Sequence, residues 1–116
     1  MEEKMSKFVD EFEAMARESF EIALDKGWYD GFTKRNDGEV IALMHSELSE
    51  ALEALRLGDP PDKHLPEFDS VEVELADVII RIMDYSQYKG LRIAEAIEAK
   101  IEFNRTRDYK HGGKAF

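Results

Sequence analysis

Apolar residues recur every three or four positions along most of the chain, and glycines interrupt the recurrence at intervals suited to helices. In the first segment Met5, Phe8, Phe12, Met15 or Ala16, Phe20 and Ala23 or Leu24 form a stripe that Gly27 ends. Asn36 and Glu39 have the spacing of a capping box for a second helix, whose stripe is Ile41, Met44, Leu48, Ala51 or Leu52, and Leu55. Gly58-Asp59-Pro60-Pro61 closes it, and a connection runs to about Glu67.

The third segment is ambiguous at its start, because Ser70 to Leu75 alternates like a strand. Read further, Val71, Leu75, Val78 or Ile79, Ile82 and Ser86 make a helical stripe, with Asp69 and Glu72 as a second capping box and Gly90 as the stop. Length decides for a helix. A fourth helix is expected from about Leu91 to Arg107 on Ile93 or Ala94, Ile97, Ile101 and Asn104. The reading is therefore all-α, a four-helix bundle type forming one domain over residues 1–116. So thin a bundle leaves apolar faces uncovered, which predicts completion by a homo-oligomer, a dimer or tetramer.

Composition narrows the function classes. With no cysteine, the chain can form neither a disulfide nor a thiolate metal site. The longest apolar run, Val40 to Met44, falls far short of the ~18 residues of a membrane span. Met1-Glu2-Glu3-Lys4 opens without an apolar stretch behind it, so a cytoplasmic protein with no membrane partner is expected. A net charge of −10 argues against a nucleic-acid polymer as partner. That charge is uneven: residues 1–99 carry −13 and residues 100–116 carry +3.

Four acids interrupt the apolar stripes. Glu47 lies three residues after Met44 and one before Leu48, with Glu50 three further on. Glu74 lies three after Val71 and four before Val78, with Asp77 three further on. The two pairs stand at similar distances from the connection between their helices. At ~1.5 Å per residue, antiparallel packing brings them within ~3 Å of one level. Facing carboxylates in a partly dry groove either protonate or share a cation. An all-oxygen donor set suits Mg²⁺, with Mn²⁺ as a substitute. The Glu-x-x-His pairs of a di-iron bundle are absent; Asp108-x-x-His111 is the nearest arrangement.

Lys100, Asn104, Arg107 and His111 form one row if the last helix persists that far, and Gly112-Gly113-Lys114 follows. Such donors match a polyphosphate. They equally match a helix end whose dipole favours cations. Trp28, Tyr29 and Phe32 can stack on a base or cap the bundle end.

Glu47-x-x-Glu50, a gap of 23 residues and Glu74-x-x-Asp77 together resemble the signature of the MazG-like all-α nucleoside triphosphate pyrophosphohydrolases. The strings from His45 to Arg56 and from Glu74 to Ile80, with Asn104 and His111-Gly-Gly-Lys114, are similar in detail, and the likeness covers roughly residues 20–116. The resemblance implies a MazG-like helical oligomer that uses Mg²⁺ to hydrolyse the α–β bond of a (d)NTP, releasing nucleoside monophosphate and pyrophosphate. It implies nucleotide-pool housecleaning as the role. Glu47, Glu50, Glu74 and Asp77 would hold metal, and Glu50 or Glu47 would orient or deprotonate the attacking water. Lys100, Asn104, Arg107 and Lys114 would hold phosphates; His111 joins them as a phosphate candidate from the row above, and Trp28 and Tyr29 are base candidates from the residues themselves. The family motif often has a further acid directly before the first Glu, where this chain has Ser46, a difference that bears on the number of metal ions. A narrower dUTPase-like or phosphoribosyl-ATP specificity fits the same residues. So does a non-catalytic helical oligomer that binds a divalent ion or a nucleotide.

Overall fold

In the computed structural model, which describes residues 6–29 and 36–107, the chain forms α1 (Lys7–Asp25), α2 (Asp37–Arg56), α3 (Ser70–Lys89) and α4 (Ile93–Arg105). The all-helical expectation holds, and the segment that alternates like a strand is the first turn of α3. Side chains fix the helix starts. Ser6 Oγ accepts the Val9 N–H at 3.0 Å, and Asn36 and Glu39 exchange both bonds of their capping box. At α3 the Glu72 carboxylate accepts the Asp69 N–H at 2.9 Å.

α3 is the central helix, packed on α2 along one side and on α1 along another. Ion pairs give the direction of the first contact: Asp37 meets Lys89 at 3.4 Å and Glu47 meets Arg81 at 3.1 Å, so α2 and α3 run antiparallel. Glu13 with Gln87 and Ser19 with Asp84 give α1 the same relation to α3. The α2–α3 connection is tied by its own polar groups. Asp59 Oδ1 accepts the Val71 N–H at 2.8 Å, and the Ser70 hydroxyl donates to the Pro60 carbonyl at 2.6 Å. These bonds set the height of α3 against α2, and hence the register of their acids.

The helix interfaces rest on small side chains. Val9, Ala16 and Ala23 are buried on α1, Met44, Ala51 and Ala54 on α2, Met83 on α3 and Ala94 on α4. The buried line on α1 therefore includes Val9, outside the expected stripe, and prefers Ala16 to Met15 and Ala23 to Leu24. On α2 it turns towards Ala51 and Ala54, leaving Leu48, Leu52 and Leu55 exposed. Close antiparallel approach selects the alanines, because a leucine at the contact line would hold the helices apart.

α4 is shorter than the expected Leu91–Arg107. The Leu91 N–H is used to close α3 on the Ser86 carbonyl at 2.9 Å, with Gly90 in the left-handed region at φ 73°. At the other end the Thr106 hydroxyl donates to the Phe103 carbonyl at 2.7 Å and competes with the helical pattern. α4 packs on α1, where Ser6 Oγ also donates to Glu98 Oε2 at 2.6 Å.

Candidate metal centre and adjoining cavity

The α2–α3 register brings Glu47, Glu50 and Glu74 together, with one oxygen from each carboxylate within 4.8 Å of the others. Glu47 and Glu74 are half-buried and Glu50 is exposed. Opposite ligands of an octahedral Mg²⁺ stand about 4.2 Å apart, so small side-chain rotations would close this set on an ion. The donors are all carboxylate oxygens, which fits a hard divalent cation. Asp77 stands outside the triplet but close enough that Glu47 and Glu50 both influence it.

The electrostatics express this crowding. Burial pushes the Glu74 carboxyl above its ordinary 4.5, and Glu50, Asp77, Glu47 and Asp62 add to the rise in that order. Burial, then Glu47, raises Asp77 above its ordinary 3.8, while Arg81 opposes the shift. Arg81 donates Nε–H to Glu47 Oε2 at 3.1 Å. Among the described residues Glu50, Glu74 and Asp77 have no hydrogen-bond or ion-pair partner, and of these three Glu50 alone is exposed, which makes it the most accessible base of the group.

A cavity of about 640 Å³ lies between α1 and α3, within the size range of small-molecule sites. Its walls include Met15, Ile22, Ile79 and Met83, with Trp28 at the end of α1. Asp77 and Arg81 line it too, so the cavity abuts the carboxylates. The Arg81 guanidinium carbon lies 4.2 Å from the centroid of the Trp28 ring, covering one of its faces.

Tyr29 packs edge-on to Phe20 at 5.1 Å and against Tyr88 at 5.2 Å, in an aromatic cluster outside the cavity lining. The row from Lys100 to His111 does not continue as a helix, because α4 ends at Arg105. Lys100 and Arg107 instead lie 4.7 and 6.0 Å from the Phe103 ring. Asn104 is exposed, and His111 and Lys114 lie outside the described residues.

Three residues of this region escape the motif reading. Arg81 follows Glu74 by seven and Asp77 by four, and that spacing was sufficient to place it on the acidic face of α3. Asp84 continues the same face seven residues after Asp77. Ser19 carries no signal in the sequence, since only α1–α3 packing brings its hydroxyl to Asp84.

Among the described residues no helix is long and apolar enough to cross a membrane. No protein-family model matches the chain, and no solved structure does. The chain is similar to a protein of Cyanophage S-2L named dATP/dGTP diphosphohydrolase, with 32% identity over 75 residues. That match takes in 65% of this chain and 60% of the phage protein's length.

Proposed function

We propose that the chain is a divalent-metal-dependent nucleoside triphosphate pyrophosphohydrolase, which cleaves the α–β bond of a (d)NTP to give nucleoside monophosphate and pyrophosphate. The observation that carries this reading is the convergence of Glu47, Glu50 and Glu74 beside a nucleoside-sized cavity that shares Asp77 and Arg81 with them. The similarity to a phage enzyme named for hydrolysis of deoxynucleotides supports it.

In this reading Glu47, Glu50, Glu74 and Asp77 hold Mg²⁺, or Mn²⁺ in its place. The ion, when bound, supplies an acidified water and neutralises phosphate charge. Glu50, free of partners, takes the proton as the water oxygen bonds to the α-phosphorus. The bond from that phosphorus to the bridging oxygen breaks, and pyrophosphate departs with the electron pair. Arg81, already turned to Glu47, places a positive charge between the acids and the cavity. The nucleoside occupies the cavity with its base at Trp28.

Two copies of the chain complete the particle, with the cations from Lys100 to Lys114 assigned to phosphate binding within it. The role assigned is nucleotide-pool housecleaning. The test is a panel of nucleoside triphosphates incubated with Mg²⁺, with products separated by chromatography. Monophosphate and pyrophosphate are expected. Diphosphate and inorganic phosphate would overturn the bond assignment, and tight nucleotide binding without turnover under Mg²⁺ or Mn²⁺ would make the chain a binding module.

A further inference from the structure

Asp84 is a buried acid that the hydrolysis above does not use. It is 6% exposed, lies two helical turns beyond Asp77, and forms part of the cavity wall. Ser19, from the facing side of α1, lines the cavity beside it and donates its hydroxyl to Asp84 Oδ1 at 2.5 Å. The Ser19 hydrogen is thereby committed, so Ser19 Oγ offers the cavity lone pairs alone. Asp84 does the same, and Ser19 is the only side chain that hydrogen-bonds it among the described residues. The flanking wall, with Ile79, Ile80 and Met83, is apolar. Asp84 and Ser19 thus set two acceptors side by side as an edge on this wall, with Arg81, close enough to act on Asp84, as the donor in the same lining.

A nucleobase that fills such a cavity must bring donors to this edge, because two facing acceptors would be buried unpaired. Guanine presents its ring N1–H and its 2-amino group side by side. Adenine and cytosine present an amino group beside a ring-nitrogen acceptor, and uracil and thymine present one N–H between two carbonyls. Only the guanine pattern offers adjacent donors with no acceptor between them. Trp28 supplies an aromatic surface at the same cavity.

We infer that Asp84 and Ser19 are the specificity-determining pair of the cavity and select a guanine-type base, an inference that rests on the nucleotide reading of the site given above. The distinction is one of hydrogen bonding rather than size, since adenine has nearly the same outline. Hypoxanthine, which keeps N1–H and lacks the 2-amino group, should fall between the two.

The experiment has two independent readouts on the full chain. Hydrolysis of dGTP, dITP and dATP gives kcat/KM for each. Fluorescence of Trp28, the only tryptophan, reports binding of dGMP and dAMP without any turnover. The expected order is dGTP, dITP, dATP, with dGTP ahead of dATP by at least about 100-fold. Asp84→Asn, which replaces one acceptor with a donor, should reduce that ratio at least about tenfold, mainly through KM for dGTP. Ser19→Ala should reduce it in the same direction and decides the matter if circular dichroism shows the Asp84 variant unfolded. Equal affinity of the wild type for dGMP and dAMP overturns the inference, as does a base preference unchanged in the folded variants. If triphosphates are cleaved without base preference, the inference falls and the hydrolase stands. If none is cleaved while dGMP binds preferentially and the variants lose that preference, the hydrolase falls and the base assignment stands.

Discussion

The Arg81 guanidinium donates Nε–H to Glu47 Oε2 at 3.1 Å, and so ties α3 to α2 at the edge of the carboxylate cluster. The two side chains are 25% and 14% exposed, too buried for water to screen the pair fully. Arg81→Met would leave Glu47 unpaired beside Glu50 and Glu74. Urea unfolding without divalent metal should show a loss of about 1–3 kcal/mol. Added Mg²⁺ should restore more stability to this variant than to the wild type, because the ion replaces the missing positive charge. Equal Mg²⁺ stabilisation of both proteins would separate Arg81 from the metal centre.

Glu50 and Glu74 share the cluster but should respond differently to amide substitution in the metal-free protein. Glu50 is exposed and has no partner among the described residues, so Glu50→Gln should leave the thermal midpoint nearly unchanged. It should lower kcat by about 10²–10⁴-fold. Glu74 is half-buried among like charges, so Glu74→Gln should raise the midpoint of the metal-free protein while weakening Mg²⁺ binding. Full activity of Glu50→Gln would remove Glu50 from the role of base.

The raised carboxyl of Glu74 also sets a pH dependence. A group whose folded pKa lies above its unfolded value contributes its stability at pH below the unfolded value and loses it as pH rises through the folded one. For Glu74 the contribution is present below about 4.5 and disappears as the pH climbs from there through its raised folded value. Asp77 and Asp84 act in the same direction from 3.8 upward, through burial first in each case. Other acids in the chain titrate too, so the quantity to measure is the stability difference between Glu74→Gln and wild type without metal. It should be near zero at pH 4 and grow in favour of the variant towards pH 7. A difference that shrank with rising pH would contradict the crowding of Glu74.

Gly90 gives a check on the frame that holds these groups. Its φ of 73° lies in the left-handed region, and a Cβ there would meet no atom within 4 Å. Gly90→Ala therefore carries backbone strain alone and should cost about 1–2 kcal/mol by chemical denaturation. Nucleotide hydrolysis at a temperature where the variant remains folded should be unaffected.

How much of this was legible in the sequence depends on which forces acted locally. The Asn36–Glu39 box and the Gly90 stop follow from short-range spacing, the three converging glutamates from that spacing together with antiparallel packing, and the structure keeps them. The α4 boundaries moved inward because Leu91 and Thr106 spend their polar groups closing helix ends, a competition that periodicity does not register. Val9 and Ser19 were missed for a different reason. Their environments are created by the side of α1 that α3 happens to cover, which no pattern within α1 specifies.

The last prediction follows from what the four helices leave uncovered. Their buried contacts are chiefly alanines, whereas Leu48, Leu52 and Leu55 of α2 are 47%, 51% and 55% exposed. Those three leucines, spaced by four and three residues, form a continuous stripe along α2 that adjoins the buried line of Met44, Ala51 and Ala54. Ile101 and Phe103 of α4 are exposed by 53% and 55%. The radius of gyration, 17.1 Å, also exceeds the roughly 13 Å of a compact globule of this length. A chain that keeps large aliphatic side chains outside and chiefly alanines inside is expected to bury the rest against a second copy. Light scattering at micromolar concentration should therefore give at least twice the mass of the 13.4 kDa chain. Leu52→Glu should shift that mass towards the monomer and lower the thermal midpoint, because charge placed within the stripe opposes its burial. A wild-type monomer at that concentration would show that the α2 stripe remains exposed in the working protein.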